Sequence, residues 1–263
     1  MKSATVTVAR PTAIAGLMPV RGILGEVVSG LGRRIVAGEW ASGVALPTEA
    51  VLMEQLGVGR SVVREAIRIL NAKGLVRSRQ MEGTTVLPRS NWRLLDPDLI
   101  HWRMEAADRN VLLLDLLQMR LVLEPGVVWT ATRLGSPAAK QRIHKAWEAW
   151  VAVLSEKSAP GAQRAHFIEH DLEFHRAFLA AVESELLEQL FSVIEAALSL
   201  MIDVQMQTRG SKTALVGMED ANTLHTDVYN AFAAGDADGA ESAMRRLIQG
   251  AMADASVGFE LKK

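Results

Sequence analysis

Cysteine is absent from the 263-residue sequence, and aromatic residues make up only 5% of it. Without cysteine, the chain can form no disulfide bond, thiolate-ligated zinc site or iron–sulfur cluster, and it has no cysteine nucleophile. Long hydrophobic runs are also absent: even the most apolar segment, residues 186–204, contains three acidic side chains, which excludes a membrane span. Glycine and proline interrupt the short apolar stretch near the N-terminus, so we expect no secretory signal and a cytoplasmic protein.

What is present indicates a globular chain with an uneven charge distribution. Hydrophobic residues make up 49% and charged residues 22% of the sequence, the balance of a folded protein with a sizeable core. Residues 1–90 contain 12 lysines and arginines against 6 acidic residues, whereas residues 91–263 contain 17 against 24. A basic N-terminal third joined to an acidic remainder suggests a polyanion-binding module attached to a second domain, although chance drift of surface charge is an alternative explanation.

The apolar pattern of the N-terminal third predicts a winged helix-turn-helix. Residues 1–19 show no periodicity and are expected to form a flexible tail. Helical spacing, a capping threonine at position 48 and glycines at the turns predict three helices and a two-stranded wing. Their expected ranges are 20–37, 48–56, 60–73, 75–79 and 84–87. We therefore assign residues 20–88 to a winged helix-turn-helix DNA-binding domain with a small β-hairpin wing.

The remaining sequence is helical in pattern. Residues 89–97 contain turn-forming residues and are expected to be a linker. Residues 98–256 show capping residues and breaks that divide them into six or seven helices, with no convincing strand. The fold class is therefore mainly α, with the winged domain followed by an all-α helical bundle.

The predicted 60–73 helix presents polar and basic side chains on the face opposite its apolar residues. Arginine can fork onto the edge of a guanine or clamp a phosphate, which suits a helix that enters the major groove. The alternative is a solvated helix with ordinary surface arginines. The candidate DNA-binding residues of the helix and the wing are Arg60, Ser61, Arg64, Arg68, Arg77 and Arg79.

The segments 46–49, 56–70 and 73–76 together resemble the DNA-binding domain of the GntR superfamily. The resemblance implies that Arg60 and Arg64 contact bases or phosphates and that the wing tip meets the minor groove. Ala50 stands where the family often has an arginine, so one phosphate contact of the family is missing. The wing reads Met-Glu-Gly at 81–83, where the family usually has Gly-x-Gly.

A possible metal site lies in the helical region. Asp171 and His175 are four residues apart, which places both side chains on one face of a helix. His225 lies on a later amphipathic segment. Two histidines and one carboxylate suit a single divalent cation such as zinc, nickel or manganese and leave coordination positions open. A surface ion pair or a core histidine would give the same spacing.

Open coordination positions would also permit catalysis, so a metal-dependent enzyme is a competing hypothesis. The sequence shows no nucleophile–base pair and no glycine-rich phosphate loop. The candidate polar residues are also embedded in an apolar pattern that is typical of a closed binding pocket. We therefore expect a binding protein and no enzymatic activity.

The helical region resembles the effector-binding FCD domain of the FadR subfamily. The resemblance rests on the Arg-x-x-x-Glu spacing at 120–124, on residues 170–175 and on the segments 233–236 and 243–245. It implies an effector-binding and dimerisation domain over residues 98–256 and a metal held by an aspartate and three histidines. Asp171, His175 and His225 match three of these ligands, whereas Leu247 occupies the position of the fourth.

The replaced ligand leaves two alternatives. Either three protein ligands hold the metal, with water and effector completing its shell, or the site is metal-free and binds an anion directly. In the second case, Arg120 and Arg246 would pair with a carboxylate while His175 and His225 donate hydrogen bonds. The candidate effector-binding residues are thus Arg120, His175, His225 and Arg246.

Residues 91–102 resemble the junction found in sugar-acid regulators of this subfamily, notably repressors of galactonate operons. Together with the resemblances of the two domains, it implies a ligand-responsive repressor that binds a double-stranded DNA operator with an inverted repeat as a homodimer. A small carboxylate effector, a sugar acid, would release it from the operator. A regulator of the same type with another organic-acid or an acyl effector is the alternative.

Overall fold

The computed structural model describes residues 22–79, 82–154, 160–208 and 219–260. The predicted tail, residues 1–19, and residues 80 and 81 of the predicted wing tip lie outside these ranges. The described part is mainly helical, with a winged helix-turn-helix followed by an all-α bundle, which confirms the predicted fold class. Within it, no helix combines the length and the apolar character needed to cross a membrane.

Three helices build the N-terminal domain: α1 (Gly22–Val36), α2 (Glu49–Leu56) and α3 (Arg60–Ala72). Apolar side chains at intervals of three and four residues point from α1 and α3 into a common core. We call this set the N-terminal core. It includes Val27, Val28, Leu31, Ile35, Val63, Ala66, Ile67 and Leu70.

The turn between α2 and α3 is fixed at both ends of α2. The hydroxyl of Thr48 accepts a hydrogen bond from the backbone N–H of Val51 at 3.4 Å and caps the first turn. Gly57 ends the helix with a φ of 65°, a left-handed conformation that glycine adopts without steric cost. The predicted start and end of α2 therefore agree with the structure.

The wing consists of β1 (Val76–Arg79) and β2 (Gly83–Val86), which pair antiparallel with Val76 opposite Val86. The backbone N–H of Leu46 also donates to Thr84 at 2.7 Å. The segment that leads into α2 is therefore attached to the wing.

Seven helices follow in the described residues, within the predicted range of six or seven. The 26-residue α5 lies in the middle and packs against α4, α6, α7, α8 and α10. Buried aromatic side chains, including Phe174, Phe178 and Phe232, fill the space between these helices. The seven helices are α4 (Pro97–Glu105), α5 (Arg109–Leu134), α6 (Pro137–Leu154), α7 (Pro160–Ala180), α8 (Glu185–Thr208), α9 (Glu219–Ala233) and α10 (Ala237–Glu260).

Helix α4 contributes side chains to the N-terminal core and also to the core of the helical bundle. Leu99 and Trp102 are buried in the N-terminal core, whereas Ile100 is buried among residues of α5 and α8. The ring of Trp102 lies directly on Gly32 of α1, where an added Cβ would come within 2.3–2.6 Å of three ring carbons. Glycine is therefore required at this contact.

An ion-pair group joins the end of α3 to the start of α4. Lys73 Nζ lies 2.8 Å from both carboxylate oxygens of Asp96 and 2.8 Å from Asp98 Oδ2. Burial opposes the charge on Lys73, but hydrogen bonds to the two carboxylates outweigh it and raise the pKa of Lys73. In the predicted linker, the indole N–H of Trp92 donates to the carbonyl of Leu87 at 3.0 Å, so this segment is packed against the winged domain.

Candidate functional site

The proposed DNA-reading side chains all lie on the exposed surface of the winged domain. Arg60, Ser61, Arg64 and Arg68 project from α3, and Arg77 and Arg79 project from β1. Three of the arginines have acidic partners. Arg64 pairs with Glu49 of α2 at 2.9 Å, Arg68 with Glu65 at 2.8 Å, and Arg79 with Glu82 at 3.1 Å.

A second group of polar side chains lies inside the helical bundle. We call Arg120, Glu124, Asp171, His175 and His225 the polar cluster. Each of these residues is at most 4% exposed. Charged side chains are seldom buried this completely unless they are paired or bind a ligand. The helices α5, α7 and α9 contribute two, two and one of the five residues, respectively.

One half of the polar cluster is an arginine–glutamate–histidine group. Arg120 Nε donates to Glu124 Oε1 at 2.5 Å, and Arg120 Nη2 lies 3.3 Å from His175 Nε2. His175 Nδ1 lies 2.7 Å from Glu124 Oε2. Burial alone would raise the pKa of Glu124, but the charges of Arg120 and His175 outweigh burial and lower it to about 2.

The other half contains Asp171 and His225. His225 Nε2 lies 3.0 Å from Asp171 Oδ1. Burial acts to raise the pKa of Asp171, but the contact with His225 outweighs it, so this pKa is lowered. The ligand atoms of Asp171, His175 and His225 lie within 4.8 Å of one another, and the structure thus brings the three predicted metal-binding residues together.

One donor and one acceptor of the polar cluster have no hydrogen-bond partner among the described residues. They are Arg120 Nη1, a donor, and Asp171 Oδ2, an acceptor, and both are buried. An unsatisfied buried polar atom costs about 1–3 kcal/mol. The cluster therefore offers one cationic donor and one anionic acceptor to a bound molecule or ion.

Aromatic rings surround the histidines. The ring of Trp150 stacks on His225 with a centroid separation of 4.5 Å, and Phe174 makes edge contacts with His175 and His225. Trp150 is itself only 1% exposed. These rings restrict the orientation of both imidazoles and keep the cluster in an apolar environment.

Two other predicted positions lie apart from the cluster. Arg246 is 55% exposed and faces Asp227 at 3.8 Å, so the structure does not bring it to the polar cluster. Leu247 is buried in the bundle core. Consecutive residues of a helix are turned by roughly 100° from each other, which explains why the neighbour of a buried leucine points into solvent.

Glu124 is a site residue that the sequence indicates only as part of a family pattern. An arginine and a glutamate four residues apart usually form a solvent-exposed helix pair. The signal that distinguishes this pair is its surroundings, because most residues between 112 and 128 are apolar. Charges on the core-facing side of such a helix are buried and need partners.

The donor set fits a divalent cation. A carboxylate oxygen and two imidazole nitrogens are typical ligands of zinc and neighbouring transition metals. Asp171 Oδ2 has no competing partner among the described residues. Asp171, His175 and His225 would hold the ion.

Family comparisons agree with this architecture. Residues 25–86 match the family of bacterial regulatory proteins named gntR, and residues 115–250 match the FCD domain. The chain belongs to the GntR family and carries an FCD domain; it is a transcriptional regulator rather than an enzyme.

Individual relatives align with this chain over most of their length. The galactonate operon transcriptional repressor of Escherichia coli K12 is 32% identical over 224 residues, which cover 85% of this chain and 92% of the repressor. The HTH-type transcriptional regulator LutR of Bacillus subtilis is 31% identical over 212 residues, covering 79% and 89% of the two chains. A solved structure of Lar, which controls the Listeria monocytogenes agr system, shares the fold with a TM-score of 0.56 at 16% identity, covering 90% and 97% of the two chains.

Proposed function

We propose that this regulator is a cytoplasmic repressor of a sugar-acid catabolic operon, such as a galactonate operon, and that a small carboxylate bound in the polar cluster releases it from DNA. The observation that carries the proposal is the buried Arg120, whose Nη1 group has no hydrogen-bond partner among the described residues. A guanidinium with an unused donor is well suited to a carboxylate. The similarity to the galactonate operon repressor supports the choice of a sugar acid.

The charges of the polar cluster bear on whether a metal takes part. Arg120 carries one positive charge, whereas Glu124 and Asp171 carry two negative charges because the pKa of each is lowered. The cluster is net negative when both imidazoles are neutral, which is the form that binds a metal ion. A buried site with this charge disfavours a carboxylate unless a cation compensates it.

A divalent cation would compensate this charge, which supports the metal-bound alternative. We infer that Asp171, His175 and His225 hold one divalent ion such as zinc, nickel or manganese. When bound, the ion supplies positive charge to which an effector oxygen can bind. Arg120 would then pair with the carboxylate, while His175 and His225 are held in place by Glu124 and Trp150. Arg246, which is exposed, is not included in this site.

On the DNA side, we propose that a homodimer places two α3 helices on an inverted repeat. The winged domain, residues 20–88, would contact DNA through Arg60, Ser61, Arg64, Arg68, Arg77 and Arg79. The helical domain, residues 98–256, would provide the dimer interface and bind the effector. Effector binding would thus change the relative positions of the two winged domains in the dimer, and the effector site would be coupled to the DNA-binding site.

Thermal unfolding of the purified protein with and without small carboxylates tests the effector. The panel contains galactonate, gluconate, galacturonate, glucuronate, lactate and citrate, each with and without added zinc. A ligand at about 100 times its dissociation constant adds about 2.7 kcal/mol of stability, a clear rise in the unfolding midpoint. We expect one sugar acid to give this rise, and Arg120→Ala to abolish it.

Metal analysis after mild purification tests the ion. We expect close to one equivalent per chain, or an increase in the unfolding midpoint on adding zinc, and loss of both in His225→Ala. A zinc content near zero with no gain on addition would favour the metal-free site. A panel that stays flat with zinc would refute the sugar-acid effector and favour another organic acid or an acyl ligand.

A further inference from the structure

The ion pair of Arg64 and Glu49 differs in geometry from the other ion pairs formed by the proposed DNA-binding residues, those of Arg68 and Arg79. The single Nε–H of Arg64 donates to both carboxylate oxygens of Glu49, at 3.0 and 2.9 Å. Neither terminal Nη group of Arg64 has a partner among the described residues. By contrast, Arg68 and Arg79 use a terminal nitrogen to bind their acidic neighbours.

We infer that Glu49 positions Arg64 to read a guanine base rather than a phosphate. This inference rests on the proposed DNA-binding role of α3. An arginine can fork onto guanine O6 and N7 through its two terminal nitrogens. Because Glu49 occupies Nε, that end-on fork is the arrangement left to Arg64. The carboxylate restrains the orientation of the guanidinium and leaves both terminal nitrogens without a partner among the described residues.

Electrostatics supports a base over a phosphate. The Glu49 carboxylate, 2.9 Å from Nε, places a negative charge beside the guanidinium and disfavours a second anion at the same group. A guanine edge carries acceptors without a full negative charge, so it meets no such repulsion. Arg60 and Arg77 have no acidic partner among the described residues, and they are better suited to phosphates.

The position of Glu49 is itself well fixed. It is the first residue of α2, directly after the capping Thr48, and the N-terminal end of a helix favours an acidic side chain. The preceding segment is attached to the wing by the Leu46–Thr84 hydrogen bond. The pair contributes little to folding, since both partners are partly exposed, at 63% for Arg64 and 37% for Glu49. Its loss should leave the fold unchanged.

A binding experiment with the full chain tests this assignment. The probe is a DNA duplex selected from a random library by the wild-type protein, together with duplexes in which each guanine of a half-site is replaced by adenine. Fluorescence anisotropy gives the affinity for each duplex at several salt concentrations. The variants are Arg64→Ala, Glu49→Ala and Glu49→Gln. Glu65→Ala is the matched control, because it also removes an acidic residue of the reading surface but does not contact Arg64.

We expect Arg64→Ala to reduce discrimination at one guanine of each half-site by roughly 10- to 100-fold, with little change in salt dependence. Glu49→Ala should reduce discrimination at the same guanine by roughly 3- to 10-fold, the effect of an arginine that must be immobilised on binding. Glu49→Gln keeps an acceptor oxygen and should recover part of that loss. Glu65→Ala should leave the discrimination unchanged, and Glu49→Ala should add nothing in the Arg64→Ala background.

Three results would overturn the inference. A uniform loss of affinity in Arg64→Ala, with the salt slope reduced by about one, would identify a phosphate contact. Equal behaviour of Glu49→Ala and Glu65→Ala, or a further loss in the double variant, would show that Glu49 does not act through Arg64. Failure of the wild-type protein to select any duplex would instead refute sequence-specific DNA binding, and the proposed function with it.

Discussion

The buried pair of Arg120 and Glu124 allows a direct test of how the bundle is held together. Replacing Glu124 by glutamine keeps the side-chain shape but leaves the buried Arg120 without its negative partner. The pKa of Glu124 is lowered from 4.5 to about 2. At 1.36 kcal/mol per pKa unit, this shift corresponds to about 3 kcal/mol of stabilisation at neutral pH. Removal of one partner from buried pairs in other proteins costs about 3–5 kcal/mol.

The chain offers a matched control on α10. Arg245 and Glu241 are also four residues apart and lie 3.0 Å from each other, but both are exposed. Glu241→Gln should change the stability by at most about 1 kcal/mol. The double variant Arg120→Met with Glu124→Leu removes both buried charges and should be less destabilised than Glu124→Gln. Thermal unfolding followed by circular dichroism measures all three variants.

For a chain of this size, about 3 kcal/mol lowers the unfolding midpoint by roughly 6–12 °C. We expect that decrease in Glu124→Gln and a change of about 4 °C or less in Glu241→Gln. Equal midpoints for the two variants would refute the argument that the buried carboxylate compensates Arg120. If the double variant is less stable than Glu124→Gln, the ion pair stabilises the bundle more than apolar side chains do at these two positions.

Three further predictions concern acidity, packing and spectroscopy. Because the pKa of Glu124 is lower in the folded chain, its contribution to the free energy of unfolding is present above about pH 4.5 and lost as the pH falls towards 2. The difference in unfolding midpoint between wild type and Glu124→Gln should therefore narrow from pH 6 to pH 3. A difference that stays constant over this range would contradict the prediction. Gly32→Ala should destabilise the chain by roughly 1–3 kcal/mol, because the added methyl group would overlap the Trp102 ring. Gly30, on the same helix, has open space around its Cα, so Gly30→Ala should stabilise the chain by up to about 1 kcal/mol. Urea unfolding of both variants measures the two changes. Zinc or a sugar acid should change the fluorescence of Trp150, which stacks on a histidine of the polar cluster; if Trp150→Phe leaves the change intact, another tryptophan reports the binding.

Local patterns made the winged domain predictable from the sequence. The apolar spacing of Val63, Ile67 and Leu70, together with glycines at the turns, determines which face of α3 is buried. Asp171 and His175 could be placed together because four residues make one helical turn. The proximity of His225 depends on how α7 and α9 pack, which sequence spacing does not determine; His225 was a candidate by residue type, and the family resemblance supported it.

The features that were not predicted depend on long-range packing. The spacing of Arg120 and Glu124 is the same as that of an exposed pair, and their burial follows from helices that surround α5. The direction of Arg246 depends on which side of α10 faces the core. The role of α4 was missed because Leu99 and Trp102 fit any amphipathic helix, and the sequence does not state which of two cores receives them.

The sharing of α4 between two cores limits how the two domains can be exchanged with those of other proteins. A chimera joined within residues 89–97 would separate the winged domain from Leu99 and Trp102, which fill its interior next to Gly32. In such a chimera, the winged domain would expose this apolar surface, and Lys73 would lose its acidic partners. A biosensor that combines this reader with a foreign effector domain should therefore retain the native chain through Glu105, the end of α4. The functional boundary between the modules then lies after the helix that sequence patterns assign to the second domain.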